Sequence, residues 1–300
     1  MAEAPSTRFD GVLGSHIEQN CIASEPLTAA MNSSIEDAGD RAGLETVDKE
    51  FMATLAKGLA VLGCFGKDRP AMTLSEAALA ANVSRATARR ILRTLTELGY
   101  VSQDGRQFSL SPNILKLGFA YLATQSWIER AQPLMRELSE RFQESVSASI
   151  LQDSEHGSEI VYVARVPTRR IMSTVLSVGS RLPAFHTAMG RIQLGFLDEA
   201  EIWRRLKSRR VEAYTPSTIT DLQALFDRVR DDHAQGFSIV DEELERGLRS
   251  IAVAVVDRHG QAVGALSVST HSARTTRNEM RDGYWPALKA LAAQVALADA

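Results

Sequence analysis

The stretch from Phe51 to Leu110 constrains the fold more than any other, because its helix caps, helix stops and turn residues fall at spacings that leave little freedom. Phe51, Leu55, Leu59, Leu62 and Phe65 recur at helical spacing, flanked by Met52 and Val61, and Gly66 and Pro70 close that helix. Thr73 and Glu76 have the spacing of a capping box, in which each side chain satisfies a free backbone N–H of the other residue. A short Ala/Leu-rich helix, about 74–81, follows them. Asn82-Val83-Ser84 then makes a tight connection, and Ser84 caps a third helix reaching about Leu98. Ala88, Ile91, Leu92, Leu95 and Leu98 mark its buried stripe. Gly99 ends the helix, and the extended runs 100–102 and 107–110 flank Asp104-Gly105, a two-residue hairpin signal. Three helices and then a hairpin predict a winged helix-turn-helix over residues 50–112.

Net charge along the chain agrees with that reading. The total is −3, yet residues 49–125 hold 10 basic and 5 acidic side chains, a net of +5. Residues 1–48 hold 2 basic and 9 acidic, a net of −7, and the remainder is nearly balanced at 22 and 23. The basic excess concentrates on the third helix at Arg85, Arg89, Arg90 and Arg93. A helix fits the major groove, where arginine bridges guanine O6 and N7 and threonine meets a phosphate or a thymine methyl. Arg85, Thr87, Arg89 and Arg90 are therefore expected to contact double-stranded DNA, Ser84 to offer a helix N-terminus to a phosphate, and Arg106 to carry charge at the wing tip. The plainer alternative is a helical bundle with one solvated basic face. Capping box, three-residue turn, clustered arginines and Asp-Gly wing together weigh against it.

The rest of the chain reads differently. Residues 1–48 mix Ser, Thr, Gly and acids with isolated hydrophobes, which predicts a disordered acidic tail, with Met31 and Met52 as alternative starts. Residues 113–126 predict a linker helix. From Trp127 the texture is α/β: a helix over 128–142, strands near 147–151, 160–166 and 171–178, and helices near 188–196, 199–207 and 221–235. Strands at 251–256 and 262–270 and a helix over 276–297 complete residues 127–300 as a sensory domain of the GAF or PAS type. The longest apolar run, Ile251 to Val256, is too short to cross a bilayer, so no membrane partner is expected. Two cysteines, Cys21 and Cys64, and no leader-like start point to a reducing cytoplasm. The six histidines lack metal-ligand spacing, and no nucleophile elbow, Walker loop or dinucleotide fingerprint occurs. No catalytic residue, metal or cofactor is expected.

The segments TLSEAALAANVSRATARRIL (73–92) and RTLTELGYVSQDGRQFSLSPNILKLG resemble the IclR family of bacterial transcriptional regulators. VYVARVPTRRIMSTVLSVGSRLPAFHTAMGRIQLGFL and VDEELERGLRSIAVAVVDRHGQAVGALSVS resemble that family's effector domain. The resemblance covers roughly 50–298 and, within the family, looks most like regulators of the β-ketoadipate pathway that respond to protocatechuate or 4-hydroxybenzoate. It implies an α+β chain: an N-terminal winged helix-turn-helix, a linker helix and a C-terminal GAF-like α/β effector-binding domain. It also implies dimers through the DNA-binding domains and linker helix, tetramers through the effector domains, and a pocket for a small aromatic or aliphatic carboxylate.

An aromatic acid needs an apolar slot and an anchoring charge. Candidates are Arg165 and Arg169 as cations, His186 and Thr187 as polar contacts, and Phe185, Met189, Met172 and Leu182 as lining. Asp241 and Glu242 lie in the segment that relatives fold over the pocket. His186 stands where relatives vary. Each candidate has a plainer reading: surface ion pairs for the arginines, ordinary core for Phe185 and Met189, a solvated acidic run for 241–243. The rival functions are a metabolite-binding protein or enzyme that uses its winged helix only to dimerise, and a nucleoid-type DNA binder without ligand.

Overall fold

A computed structural model describes residues 51–154, 157–168, 176–208 and 210–296. The described chain forms two compact units that divide between Thr124 and Gln125.

In the first unit, α1 (Ala53–Gly63), β1 (Ala71–Thr73), α2 (Leu74–Ala80) and α3 (Arg85–Glu97) precede the wing strands β2 (Val101–Asp104) and β3 (Gln107–Leu110). The capping box forms as expected: Thr73 N–H donates to Glu76 Oε2 at 2.7 Å and Glu76 N–H to Thr73 Oγ1 at 3.3 Å. Asn82 makes the turn into α3 at φ +48°, a left-handed conformation that asparagine tolerates better than most residues. Val61, Phe65, Met72, Ile91, Leu92, Val101 and Phe108 form the core. Three expectations change. Strand β1 pairs with β3 to give a three-stranded sheet, order β1-β3-β2. Asp104 pairs with Gln107, so the two-residue loop is Gly105-Arg106 rather than Asp104-Gly105, with Gly105 at φ +57°. Leu98, expected in the buried stripe, is the exposed C-cap of α3.

Helix α1 is apolar on two faces. Ala60 and Val61 enter the core, whereas Phe51, Leu55 and Leu59, expected to be buried with Leu62 and Phe65, are 54%, 58% and 52% exposed. A 3₁₀ turn (Pro112–Ile114) leads into α4 (Leu115–Ala123), the expected linker helix, which also exposes Leu115, Leu117 and Phe119.

The second unit is built on a six-stranded antiparallel sheet, order β6-β5-β4-β9-β8-β7. Its elements are α5 (Ser126–Phe142), β4 (Ser145–Ser154), β5 (Gly157–Val166), β6 (Arg181–Pro183), a 3₁₀ turn (Ala184–His186), α6 (Ala188–Leu194), α7 (Glu199–Lys207) and α8 (Leu222–Gln235). After them come β7 (Ser238–Asp241), β8 (Leu248–Val256), β9 (Ala262–His271), α9 (Arg277–Glu279) and α10 (Trp285–Ala296). Strand period sorts the residues onto two faces. Val146, Ala148, Ile251, Val253, Leu266 and Val268 share one, on the side of α5 and α10. The opposite face carries Ser145, Ser147, Ser149, Ser267, Ala252 and Ala265, all small, and is covered by α6. Of the strand expected over 171–178, residues 171–175 lie outside the described residues and 176–178 form no strand. The expected C-terminal helix is interrupted by a π-turn, Met280–Tyr284. Pro286, two residues on, lacks the N–H that a regular helix would use there.

Candidate functional sites: a basic helix face and a small cavity

Ser84 caps α3: its Oγ accepts from Thr87 N–H at 3.1 Å, and the two hydroxyls lie 2.9 Å apart. With Ala88, Ile91 and Leu92 turned inward, 3.6 residues per turn places Ala86, Arg89, Arg90 and Arg93 about the outward direction. Arg85 stands at the flank of that face, and Thr87, half-buried, sits at the other with its hydroxyl engaged in the cap. Arg106 is exposed at the wing loop. Among the described residues none of these arginines has a carboxylate within ion-pair distance. The expected contact set left out Arg93, although its place on the outward face beside Arg90 follows from the helical period alone.

In the second unit, the small-residue face of the sheet and α6 border a partly open cavity. Its volume is about 50 Å³, several times the ~10–15 Å³ that one water needs. Its sheet side carries Tyr162 and Arg165 from β5, Ser250 from β8, and Ser267 and Ser269 from β9. Its cover carries His186, Thr187 and Met189, with Leu176, Leu182, Val240, Leu244 and Leu248 supplying apolar wall and Glu245 a half-buried carboxylate. Ser250 and Ser269 share a hydrogen bond of 2.9 Å, and Arg165 Nη1 donates to Ser147 Oγ at 3.3 Å. Among the described residues Arg165 has no carboxylate partner. Burial pulls its pKa below the ordinary arginine value, and a guanidinium still holds its proton there.

Beside the cavity lies a buried ionic cluster. Arg191, with no exposed surface, donates from Nε to the Phe185 carbonyl at 2.7 Å, from Nη1 to Glu243 Oε1 at 2.8 Å and from Nη2 to Glu243 Oε2. His186 Nδ1 is 3.8 Å from Glu243 Oε2. Burial works to raise the Glu243 pKa, but His186 and Arg191 outweigh it and hold the carboxyl below the ordinary glutamate value. Thr218 Oγ1 donates to the Glu243 carbonyl and Thr215 Oγ1 to the Glu242 carbonyl, each at 2.6 Å, which fastens this segment to the 211–220 loop. Gly190 makes the crossing possible, since a Cβ there would lie 2.2 Å from the Ala184 carbonyl oxygen.

The structure places the candidate residues unevenly. Arg165, His186, Thr187 and Met189 line the cavity. Thr187 is also the N-cap of α6, accepting from Gly190 N–H at 3.2 Å. Phe185 does not line the cavity but packs in the core. Arg169 and Met172 lie outside the described residues. Asp241 points elsewhere, in a two-pronged pair with Arg249 at 2.7 and 2.8 Å, and Glu242 Oε1 accepts from Ser272 Oγ. The inward acid of that run is Glu243. Sequence reading missed Glu243, Arg191, Tyr162 and the serines. A signal for two of the serines was present in Ser267-Val268-Ser269, where alternate residues of a strand are small and polar.

Among the described residues no His, Cys, Asp and Glu side chains cluster as metal ligands, and no helix is long and apolar enough to cross a membrane. A winged helix with an open basic face, on one chain with a sheet unit bordering a small cavity, defines a DNA-binding transcription regulator with a small-molecule sensor. Residues 54–105 match the IclR helix-turn-helix domain, and residues 119–297 match the bacterial transcriptional regulator IclR C-terminal family. The chain belongs to the IclR family. It is 40% identical over 267 residues to the Pca regulon regulatory protein of Pseudomonas putida, covering 88% of this chain and 90% of that one. It is 32% identical over 246 residues to the p-hydroxybenzoate hydroxylase transcriptional activator of Acinetobacter baylyi, covering 80% and 89%. Among solved structures, a transcriptional regulator of a Rhodococcus species is 40% identical with TM-score 0.73, covering 82% of this chain and 98% of that one. These relatives are regulators of transcription and not enzymes.

Proposed function

We propose that this regulator controls operator binding through an aromatic carboxylate seated in the cavity, with Arg165 as its anchor. The observation that carries the proposal is a half-buried guanidinium on the cavity wall whose partner among the described residues is a serine hydroxyl. A desolvated cation gains most from an anion with two oxygens. Ser267 and Ser269 add hydroxyl donors, and the leucine and methionine wall suits a ring. The named relatives support the aromatic class, since one governs a p-hydroxybenzoate hydroxylase. Ser84, Arg85, Thr87, Arg89, Arg90 and Arg106, with Arg93 added, are proposed to touch operator DNA. The apolar faces of α1 and α4 are proposed to close a dimer that reads a palindrome, with tetramers formed through the effector units. A DNA-reading protein of this kind works in the cytoplasm.

The test is a thermal-shift screen over 4-hydroxybenzoate, protocatechuate, benzoate and pyruvate, with gel shifts on the upstream intergenic DNA. A saturating ligand at 100 times its Kd adds about 2.7 kcal/mol of stability, and Arg165→Ala is expected to abolish that shift. A shift with pyruvate alone selects the aliphatic class. An unchanged shift in Arg165→Ala removes this residue as the anchor.

A further inference from the structure

We infer that His186 reads a hydroxyl group on the effector, as a hydrogen-bond acceptor set in place by Glu243. The inference rests on the aromatic-acid reading above and adds to it the identity of a second polar contact.

His186 is 3% exposed and lines the cavity from its cover, whereas Arg165 stands on the sheet. Its two ring nitrogens are in different situations. Nδ1 is buried without a hydrogen-bond partner, and Glu243 Oε2 faces it at 3.8 Å. Among the described residues Nε2 makes no hydrogen bond either, and the residue to which it belongs lines the cavity. Arg191 grips both Glu243 oxygens and so keeps that group a carboxylate. A carboxylate beside Nδ1 favours the tautomer with its proton on that nitrogen, which leaves the lone pair at Nε2.

The ring is held in this orientation. Arg191 Nε fixes the carbonyl of the preceding Phe185 at 2.7 Å. Tyr214 meets the imidazole edge-on at 5.5 Å between centroids. An acceptor held inside a small cavity selects a donor. A phenolic hydroxyl supplies one, while a carboxylate would bring a second negative charge toward Glu243. The geometry therefore orients an aromatic acid with its carboxylate toward Arg165 and a ring hydroxyl toward His186. A site that hydrogen-bonds a hydroxyl discriminates against the analogue that lacks it, because the buried acceptor is then left unpaired.

The experiment compares 4-hydroxybenzoate with benzoate by calorimetric titration of the full-length protein. The wild type is expected to prefer 4-hydroxybenzoate by about tenfold or more, the size of one net buried hydrogen bond. His186→Ala is expected to bring the two affinities within about twofold by weakening 4-hydroxybenzoate and sparing benzoate. His186→Gln, whose side-chain carbonyl accepts a hydrogen bond, is expected to recover part of the preference. A structural role alone would weaken both ligands together, and a preserved ratio in His186→Ala overturns the assignment. So does a wild type that binds both acids equally. If neither acid binds the wild type, the aromatic-acid reading itself fails and this inference falls with it. Should the alanine variant not fold, nitrogen-15 shifts of the wild-type His186 ring decide. Nε2 must respond to 4-hydroxybenzoate far more than to benzoate, and an equal response overturns the inference.

Discussion

Asp232 and Glu243 are both buried acids near Arg191, yet their environments push them in opposite directions. Glu243 receives two guanidinium hydrogen bonds and stays below the ordinary glutamate value. Asp232, 1% exposed, has hydroxyl and amide donors from Ser238 Oγ at 2.5 Å and Gln235 Nε2 at 3.0 Å. Burial raises its pKa from 3.8 to about 6, against the pull of Ser238, Arg191 and Arg228. A carboxyl whose pKa is raised by folding binds its proton more tightly in the folded state, so its ionisation works against stability. The loss begins as pH rises past the unfolded value near 4 and is complete above about 6, reaching on the order of 2–3 kcal/mol. Asp232→Asn keeps the shape and removes the charge. Its melting temperature is expected to exceed that of the wild type at pH 8, with the gap closing as pH falls toward 4. A difference that stays constant over that range would show that Asp232 does not titrate as described. Glu243→Ala has the reverse character, because it leaves the buried Arg191 guanidinium without its hydrogen-bonded carboxylate. Denaturant unfolding is expected to report a loss of about 3–5 kcal/mol.

At the scale of elements, α3 is the piece proposed to read DNA. Arg89, Arg90 and Arg93 stand nearest its outward direction, so their alanine variants sort contacts by type. Loss of a base contact costs about 1–3 kcal/mol at the preferred operator and relaxes sequence preference, whereas loss of a phosphate contact weakens all sequences alike and lowers the salt slope by about 1. Gel shifts at several salt concentrations separate the two, and three unchanged variants would remove this face from the interface. Helix α3 was legible in the sequence because its cap and buried stripe are local signals that agree. Strand β1 was not, since three residues, the last of them the capping Thr73, are too few to show alternation. The hairpin register missed by one residue because Asp-Gly signals a turn without fixing which pair closes it. The acidic run after β7 failed for a related reason. Ser238 and Val240 turn inward with the strand, and period 2 would send Glu242 the same way. Glu242 instead adopts φ +57°, breaks the alternation and turns Glu243 inward. In the cavity, the cover loop was legible at His186, Thr187 and Met189, but the serine face was not, because polar residues in a strand ordinarily signal solvent.

For the molecule as a whole, the apolar surfaces of α1 and α4 carry the larger consequence. Phe51, Leu55, Leu59, Leu115, Leu117 and Phe119 are each more than half exposed. Monomers rarely keep such a set in water, and a helix apolar on two sides ordinarily packs on both. The core face of α1 is already occupied by Val61 and its neighbours, so Leu55 and Leu59 belong to the dimer contact proposed above. Dimerisation would place two α3 helices on one DNA, so the second half-site is bound as an intramolecular event. Such linkage raises affinity by about 10²–10⁴ without any new contact. It also gives the effector a route to act, because a ligand shifts DNA affinity only by favouring one arrangement of the pair over another. Leu55→Glu combined with Leu59→Glu removes the proposed contact while leaving every core residue in place. Light scattering after size exclusion is expected to show a drop in mass. Circular dichroism is expected to stay unchanged, and operator affinity to fall at least about 100-fold. Effector binding is expected to persist, since the second unit has its own core and its own cavity. A variant that keeps the wild-type mass would place the dimer contact elsewhere, and one that loses mass while holding operator affinity would mean that a single winged helix suffices for DNA binding.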